Sequence, residues 1–166
     1  NDCKSEGITN NQNNVILVEQ ENKMLGFVGT PKEINSSIIE QIVEEKKVPV
    51  IAPLGLDKDN QVYNINADTA AGAIAKKLNA RRLIIMSDVE GVLDDNKKLI
   101  SEINSRKISN LIKKETISGG MIPKIKNCLD VASNGVKGVC IIDGRINHSI
   151  LFELLSNAGF GTLIRE

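Results

Sequence analysis

The run ISGGMIPKIK, residues 117–126, sets two glycines, a proline and two lysines where a helix is expected to begin. A helix N-terminus carries about half a positive charge from its unpaired N–H groups, so lysines in the first turn are unfavourable by roughly 0.3–1 kcal/mol each. An anion belongs at such an end. Gly119 and Gly120 let the backbone approach a ligand closely, Pro123 suits a first helical turn, and Lys124 lies within reach of the same end. A glycine-rich turn leading into a helix is a phosphate site, and the lysine supplies a compact charge for a phosphoryl group in transfer. The G-x-x-x-x-G-K pattern is absent, so the site is not of the Walker type. Surface lysines on a capped helix would give the same run, and Lys126 reads that way.

Two further loops carry chemistry-bearing residues. In YNINADTAAGAIA, a strand ending at Asn66 would put Asn64 and Asn66 on one face, with Asp68 in the first turn of the next helix. An N-cap role for Asn66 and a dipole-matched acid at Asp68 would account for those two structurally. Asn64 has no such account, and an amide can hold both a carboxylate and an amide N–H. In SDVEGVLDD, Ser87 and Asp88 leave a strand, Gly91 permits a tight turn, and Asp94 and Asp95 lead into a polar bend. The adjacent aspartates point apart and no third ligand follows at a recognisable spacing, so no metal site is predicted.

The elements that must position these loops alternate. Strands are expected at 15–19, 23–29 (the two joined as a hairpin), 48–53, before Asn66, at 82–87, 138–142 and in the closing GTLIR. Helices are expected after Asn35 or Ser36, either of which could be the cap, and over 68–78. Further helices are expected over 106–114 behind Ser105, over 120–133 and over 148–157. The 48–53 segment reads as buried. This alternation predicts a single α/β domain with a largely parallel open sheet, covered by helices on both faces and with hairpins at its edge. In such sheets ligands bind beyond the carboxyl ends of the strands, which is where the three loops fall.

The 166 residues suffice for one sizeable core, and 21 basic against 21 acidic side chains leave nothing to steer the molecule toward nucleic acid or an anionic membrane. One Tyr, three Phe and no Trp make no base-stacking platform, so the core must be aliphatic. Cys3, Cys128 and Cys140 are odd in number and widely spaced, and read as reduced thiols in a cytoplasmic compartment. No apolar run approaches a membrane span and no signal pattern opens the chain. The polar start at Asn1 predicts a fragment or a processed chain.

The motifs YNINADTAAGAIA, SDVEGVLDD, ISGGMIPK and IIDGR, in this order, with GFVG and GFGTLI, resemble the acetylglutamate kinases of the amino acid kinase family over about residues 24–166. The resemblance implies a three-layer α/β sandwich and phosphoryl transfer from MgATP to the side-chain carboxylate of N-acetyl-L-glutamate, in arginine biosynthesis. It implies that Asn64, with Asn66, holds the acetylglutamate, that Asp68 orients catalytic lysines, and that Lys124 stabilises charge on the migrating group. Ser87, Asp88, Val89, Gly91, Gly119, Gly120, Met121 and Ile122 would line the nucleotide side, with Mg2+ held mainly through the phosphates. In arginine-inhibited members His148, Glu153 and Gly159 would lie beside L-arginine, although Cys140 stands where the family often has histidine. Members also carry an N-terminal half with a glycine-rich phosphate loop, a second catalytic lysine and a substrate-gripping glycine pair. None of these occurs here, so the resemblance implies the C-terminal nucleotide-binding portion of a homo-oligomeric parent, feeble in activity by itself. A non-catalytic regulatory or arginine-sensing module, or a uridylate or glutamate kinase of the same family, is the alternative.

Overall fold

The computed structural model describes residues 4–9, 14–156 and 159–166. Contacts divide the chain into two compact units, Asn1–Leu78 and Asn79–Glu166, where the sequence predicts one domain.

The first unit holds β1 (Ser5–Ile8), β2 (Ile16–Gln20), β3 (Gly29–Ile34), α1 (Ser37–Glu44), β4 (Val48–Ile51), β5 (Leu54–Leu56), β6 (Val62–Asn64) and α2 (Ala67–Lys77). Strands β1 and β4 pair in parallel, and the other four form a sheet in the order β3-β2-β5-β6. Its hairpins, β2–β3 and β5–β6, are antiparallel, while β2 and β5 run parallel. An aliphatic core of Val15, Ile16, Val18, Ile34, Ile39, Ile42 and Ile65 joins sheet to helices. Each fully buried side chain of this size contributes roughly 1.5–3 kcal/mol of burial.

Several expectations shift here. Residues 23–29 are not a strand. Asn22 accepts a hydrogen bond from the Met24 N–H at 2.9 Å and starts a 3-10 turn over Lys23–Leu25, which Gly26 ends at φ 67°. The local Asn bond offers the backbone an alternative to a ladder, so the hairpin's second strand begins only at Gly29. Segment β4 is a strand but not a buried one, because Val48 and Val50 lie open on alternate positions. Asn35 does the capping work at α1, its Oδ1 accepting from Ser37 N at 3.3 Å and Ser37 Oγ at 2.6 Å, while Ser36 makes no side-chain cap bond. Strand β1 arises in a stretch that reads only as polar.

The second unit holds β7 (Leu83–Ser87), β8 (Glu102–Asn104), α3 (Ser105–Lys113), α4 (Met121–Ser133), β9 (Val139–Asp143), α5 (Ser149–Leu155) and β10 (Thr162–Arg165). Its sheet runs β7-β9-β10-β8, with β9–β10 antiparallel and the other two pairs parallel. All five residues of β9 are buried, as a strand covered on both faces should be. Helix α4 turns Ile125, Cys128, Val131 and Ala132 inward, and Ile108 anchors α3. The cap of α3 is Asn104, whose Oδ1 accepts from Lys107 N at 3.0 Å, and not Ser105. Four of the seven strand pairings among the described residues are parallel, so the architecture is an open, mixed α/β fold. No helix among the described residues is long and apolar enough to cross a membrane.

Candidate functional site

Strands β7 and β9 run parallel with Ser87 opposite Asp143, so their carboxyl ends finish side by side. The Gly144 N–H donates to the Ser87 carbonyl at 2.7 Å and closes that edge. Asp143 is 3% exposed. It accepts from Arg145 three times, from the backbone N and Nε at 2.9 Å and from Nη2 at 2.7 Å. The guanidinium and the backbone N–H hold the Asp143 carboxyl below its usual range, and the carboxylate raises Arg145 in turn. Ser87 Oγ donates to Asp88 Oδ1 at 3.3 Å on an exposed loop.

Gly91 sits at φ 144°, and a Cβ there would lie 2.6 Å from Thr162 Oγ1 and 2.8 Å from Leu99 Cδ1. Only glycine fits. The buried Thr162 hydroxyl accepts from Val92 N at 2.8 Å and donates to the Ile100 carbonyl at 2.7 Å, so it staples the loop after β7 to β10. Asp94 Oδ1 caps its own turn, accepting from Asn96 N and Lys98 N at 2.9 Å each, and Asp95 accepts from the Thr116 hydroxyl. The aspartate pair is thus spent on turn structure, and it ties the loop after β7 to the approach of ISGGMIPK.

That approach leaves the N-terminus of α4 open. Gly120 at its cap makes no side-chain bond, and the first turn contains no acid. Gly119 needs its φ of 57°, but Gly120 does not need to be glycine for the fold: its φ is −64° and a Cβ would meet nothing within 4 Å. The Met121 and Ile122 N–H groups donate to the Ser118 and Gly119 carbonyls at 3.3 and 3.2 Å, so what the open space offers an anion is the positive end of the helix dipole. Met121, Ile122 and Lys124 are half-buried on this turn, and Lys126 is exposed.

Asn64, Asn66 and Asp68 belong to the first unit. Tyr63 and Ile65 are buried while Asn64 and Asn66 face out, so the expected shared face holds. The backbone of Asn64 is fixed by Leu54 across the β5–β6 pair and by a 2.9 Å bond to the Phe27 carbonyl, and its amide is exposed. Asn66 Oδ1 accepts from Thr69 N at 3.2 Å and caps α2, and Asp68 lies half-buried in that first turn. The residues that sequence reasoning left without a role are Asp143, Arg145 and Thr162. A D-G-R run at the end of an apolar strand was the available signal for the first two.

Glu153 is 7% exposed, not a surface acid. Its Oε1 accepts from Arg82 Nη1 at 3.4 Å and from the Cys140 thiol at 3.1 Å, and its Oε2 from the Phe160 N–H at 2.8 Å. Gly159, at φ 68°, adjoins the same carboxylate, whereas His148 starts α5 in the left-handed region and is exposed. Burial, and then the Glu153 carboxylate, push the Cys140 thiol up to about 12. The thiolate is the reactive form, so at about pH 8 roughly one Cys140 in ten thousand is ionised. Iodoacetamide should therefore leave Cys140 unmodified in native buffer and label it in denaturant, as read by peptide mass. Labelling in native buffer at the rate of a free thiol would contradict this burial.

Residues 2–143 match the model of the Amino acid kinase family. The chain belongs to that family. It is 70% identical over 165 residues to a protein named acetylglutamate kinase from Pelagibacter ubique (strain HTCC1062), covering 99% of this chain and 57% of the relative. The likeness thus extends well ahead of the expected start near 24, and the chain spans little more than half of the relative's length. The crystal structure of smu.665 from Streptococcus mutans UA159 superposes with a TM-score of 0.82 at 31% identity, over 98% of this chain and 61% of that one. Carbamate kinase from Giardia lamblia bound to AMP-PNP superposes with a TM-score of 0.66 at 21% identity, over 91% of this chain and 59% of that one, a likeness of fold.

Proposed function

We propose that this amino acid kinase chain is the nucleotide-binding portion of an acetylglutamate kinase, transferring the phosphoryl group of MgATP to the side-chain carboxylate of N-acetyl-L-glutamate. The observation that carries the reading is the 70% identity to an acetylglutamate kinase along almost the whole chain. The open N-terminus of α4, with Lys124 on its first turn, supports it. Phosphoryl transfer needs positioning and compensation of charge more than covalent help. The dipole at the N-terminus of α4 would attract the phosphates, Lys124 would offset charge as it shifts among the phosphoryl oxygens, and the Ser87–Gly91 loop would line the nucleotide. The metal ion would travel with the phosphates as part of the substrate. Asn64 would hold the acetylglutamate amide or carboxylate.

An arginine-sensing role for His148, Glu153 and Gly159 has less support, because the carboxylate that would grip an effector guanidinium already faces Arg82, Cys140 and the Phe160 N–H. The nucleotide reading is tested by calorimetric titration of the chain with millimolar MgATP. Weak heat and a rise in melting temperature are expected, since a ligand of the folded state must stabilise it by mass action. No heat and no thermal shift would overturn it.

A further inference from the structure

The Asp143–Arg145 pair stands at the carboxyl ends of β7 and β9 and has no part in the reaction as read above. Asp143 alone could cap its turn through the Arg145 backbone N–H. The side chain does more. Nε and Nη2 both bind the carboxylate, so the guanidinium is fixed in a forked geometry instead of sweeping through solvent. Its side chain is nevertheless 63% exposed, so the charge faces outward from a buried anchor. Asp88 and Glu90, both exposed, follow Ser87 on the loop after β7, whose start lies hydrogen-bonded to the residue before Arg145. The Gly144–Ser87 bond couples the two loops directly.

This arrangement resolves a conflict in the proposed nucleotide site. A polyanion approaching Ser87–Gly91 meets two carboxylates, and like charges at a water-exposed mouth repel it. We propose that Arg145 is a positioning residue for the nucleotide, which neutralises Asp143 and offsets part of the field of Asp88 and Glu90 so that the phosphates can approach the loop after β7. The inference rests on the nucleotide reading above. A pair that merely stiffened the turn would alter stability but not the preference for charged over uncharged ligands.

The test compares MgATP with adenosine on the full 166-residue chain, by titration at low and at moderate salt. Arg145→Gln should weaken MgATP about tenfold at low salt and adenosine less than about twofold, with the difference shrinking as salt screens the charges. Arg145→Lys should recover most of the affinity, and Arg145→Gln/Glu90→Gln part of it. Glu90→Gln alone, which leaves the Asp143 anchor intact, should tighten MgATP and not adenosine, and it decides the matter if Arg145→Gln does not fold. Equal losses for both ligands, or MgATP binding indifferent to Arg145 and Glu90, would overturn the role of Arg145 while leaving the nucleotide site standing. A wild-type chain that binds neither ligand would overturn both.

Discussion

Replacing Lys124 by alanine in the full-length enzyme is expected to lower kcat by about 10²–10³-fold, the cost of removing one preorganised charge from a transition state. The loss should fall on kcat more than on KM for ATP, because the charge that Lys124 meets redistributes only as the phosphoryl group moves. Asn64→Ala supplies the contrast: in the proposed site its exposed amide would meet substrate in ground state and transition state alike, so the effect should be on KM for acetylglutamate. The fold should tolerate the Lys124 change, since the buried Ile125, Cys128, Val131 and Ala132 anchor α4 and the lysine itself is only half-buried. Steady-state kinetics with both substrates varied decide it. A Lys124→Ala enzyme with unchanged kcat, or an Asn64→Ala enzyme that loses kcat at unchanged KM, would remove these roles.

The helices and central strands were legible because their signals are local. Asn66 with Asp68 behind it, and a run of alanines, fix α2, and the five-residue apolar run of β9 allows little else. The Gly-Gly-Met-Ile-Pro-Lys stretch likewise marks a helix start in sequence, because a glycine pair ends the loop and a proline suits the first turn. Most of what stayed hidden depends on partners distant in sequence. Strand β1 is written in polar residues and exists through its parallel register with β4, more than forty positions on. The exposed side of β4 could not be told from a buried one by hydrophobicity alone. Asn22 diverted an apolar stretch into a 3-10 turn, a choice between two local bonds that composition does not rank. Glu153 is one acid in an otherwise apolar helical run, and only the arrival of Arg82, Cys140 and Phe160 makes it an internal one. The Arg145 fork belongs to the same class, since its meaning comes from β7 and β9 ending together.

The close approach of β10 to β9 gives the largest expected stability effect. Gly161 lies between Phe160, whose N–H is bound by Glu153 and whose ring stacks on Phe152 at 5.5 Å, and the fully buried Thr162. A Cβ at Gly161 would stand 2.0 Å from the Ile141 carbonyl oxygen, 2.9 Å from its carbon and 2.9 Å from Ile142 Cγ2. The first of these is backbone in the central strand, so no side-chain rotation relieves it. Either β10 withdraws from β9, breaking the Thr162–Ile141 register, or the strand bends. Gly161→Ala should therefore cost about 3 kcal/mol or more, the upper range for overpacking a filled interior. For a chain of this length that is a fall of roughly 6–12 °C in melting temperature. Gly7→Ala is the matched control, because nothing lies within 4 Å of its Cβ position and its backbone is an ordinary strand's. The damage should also reach the nucleotide loop, since Thr162 carries the hydroxyl that holds Val92 behind Gly91. MgATP affinity should then drop in Gly161→Ala even below its melting point. A Gly161→Ala chain that melts with the wild type would mean that β10 is not packed against β9 in this way.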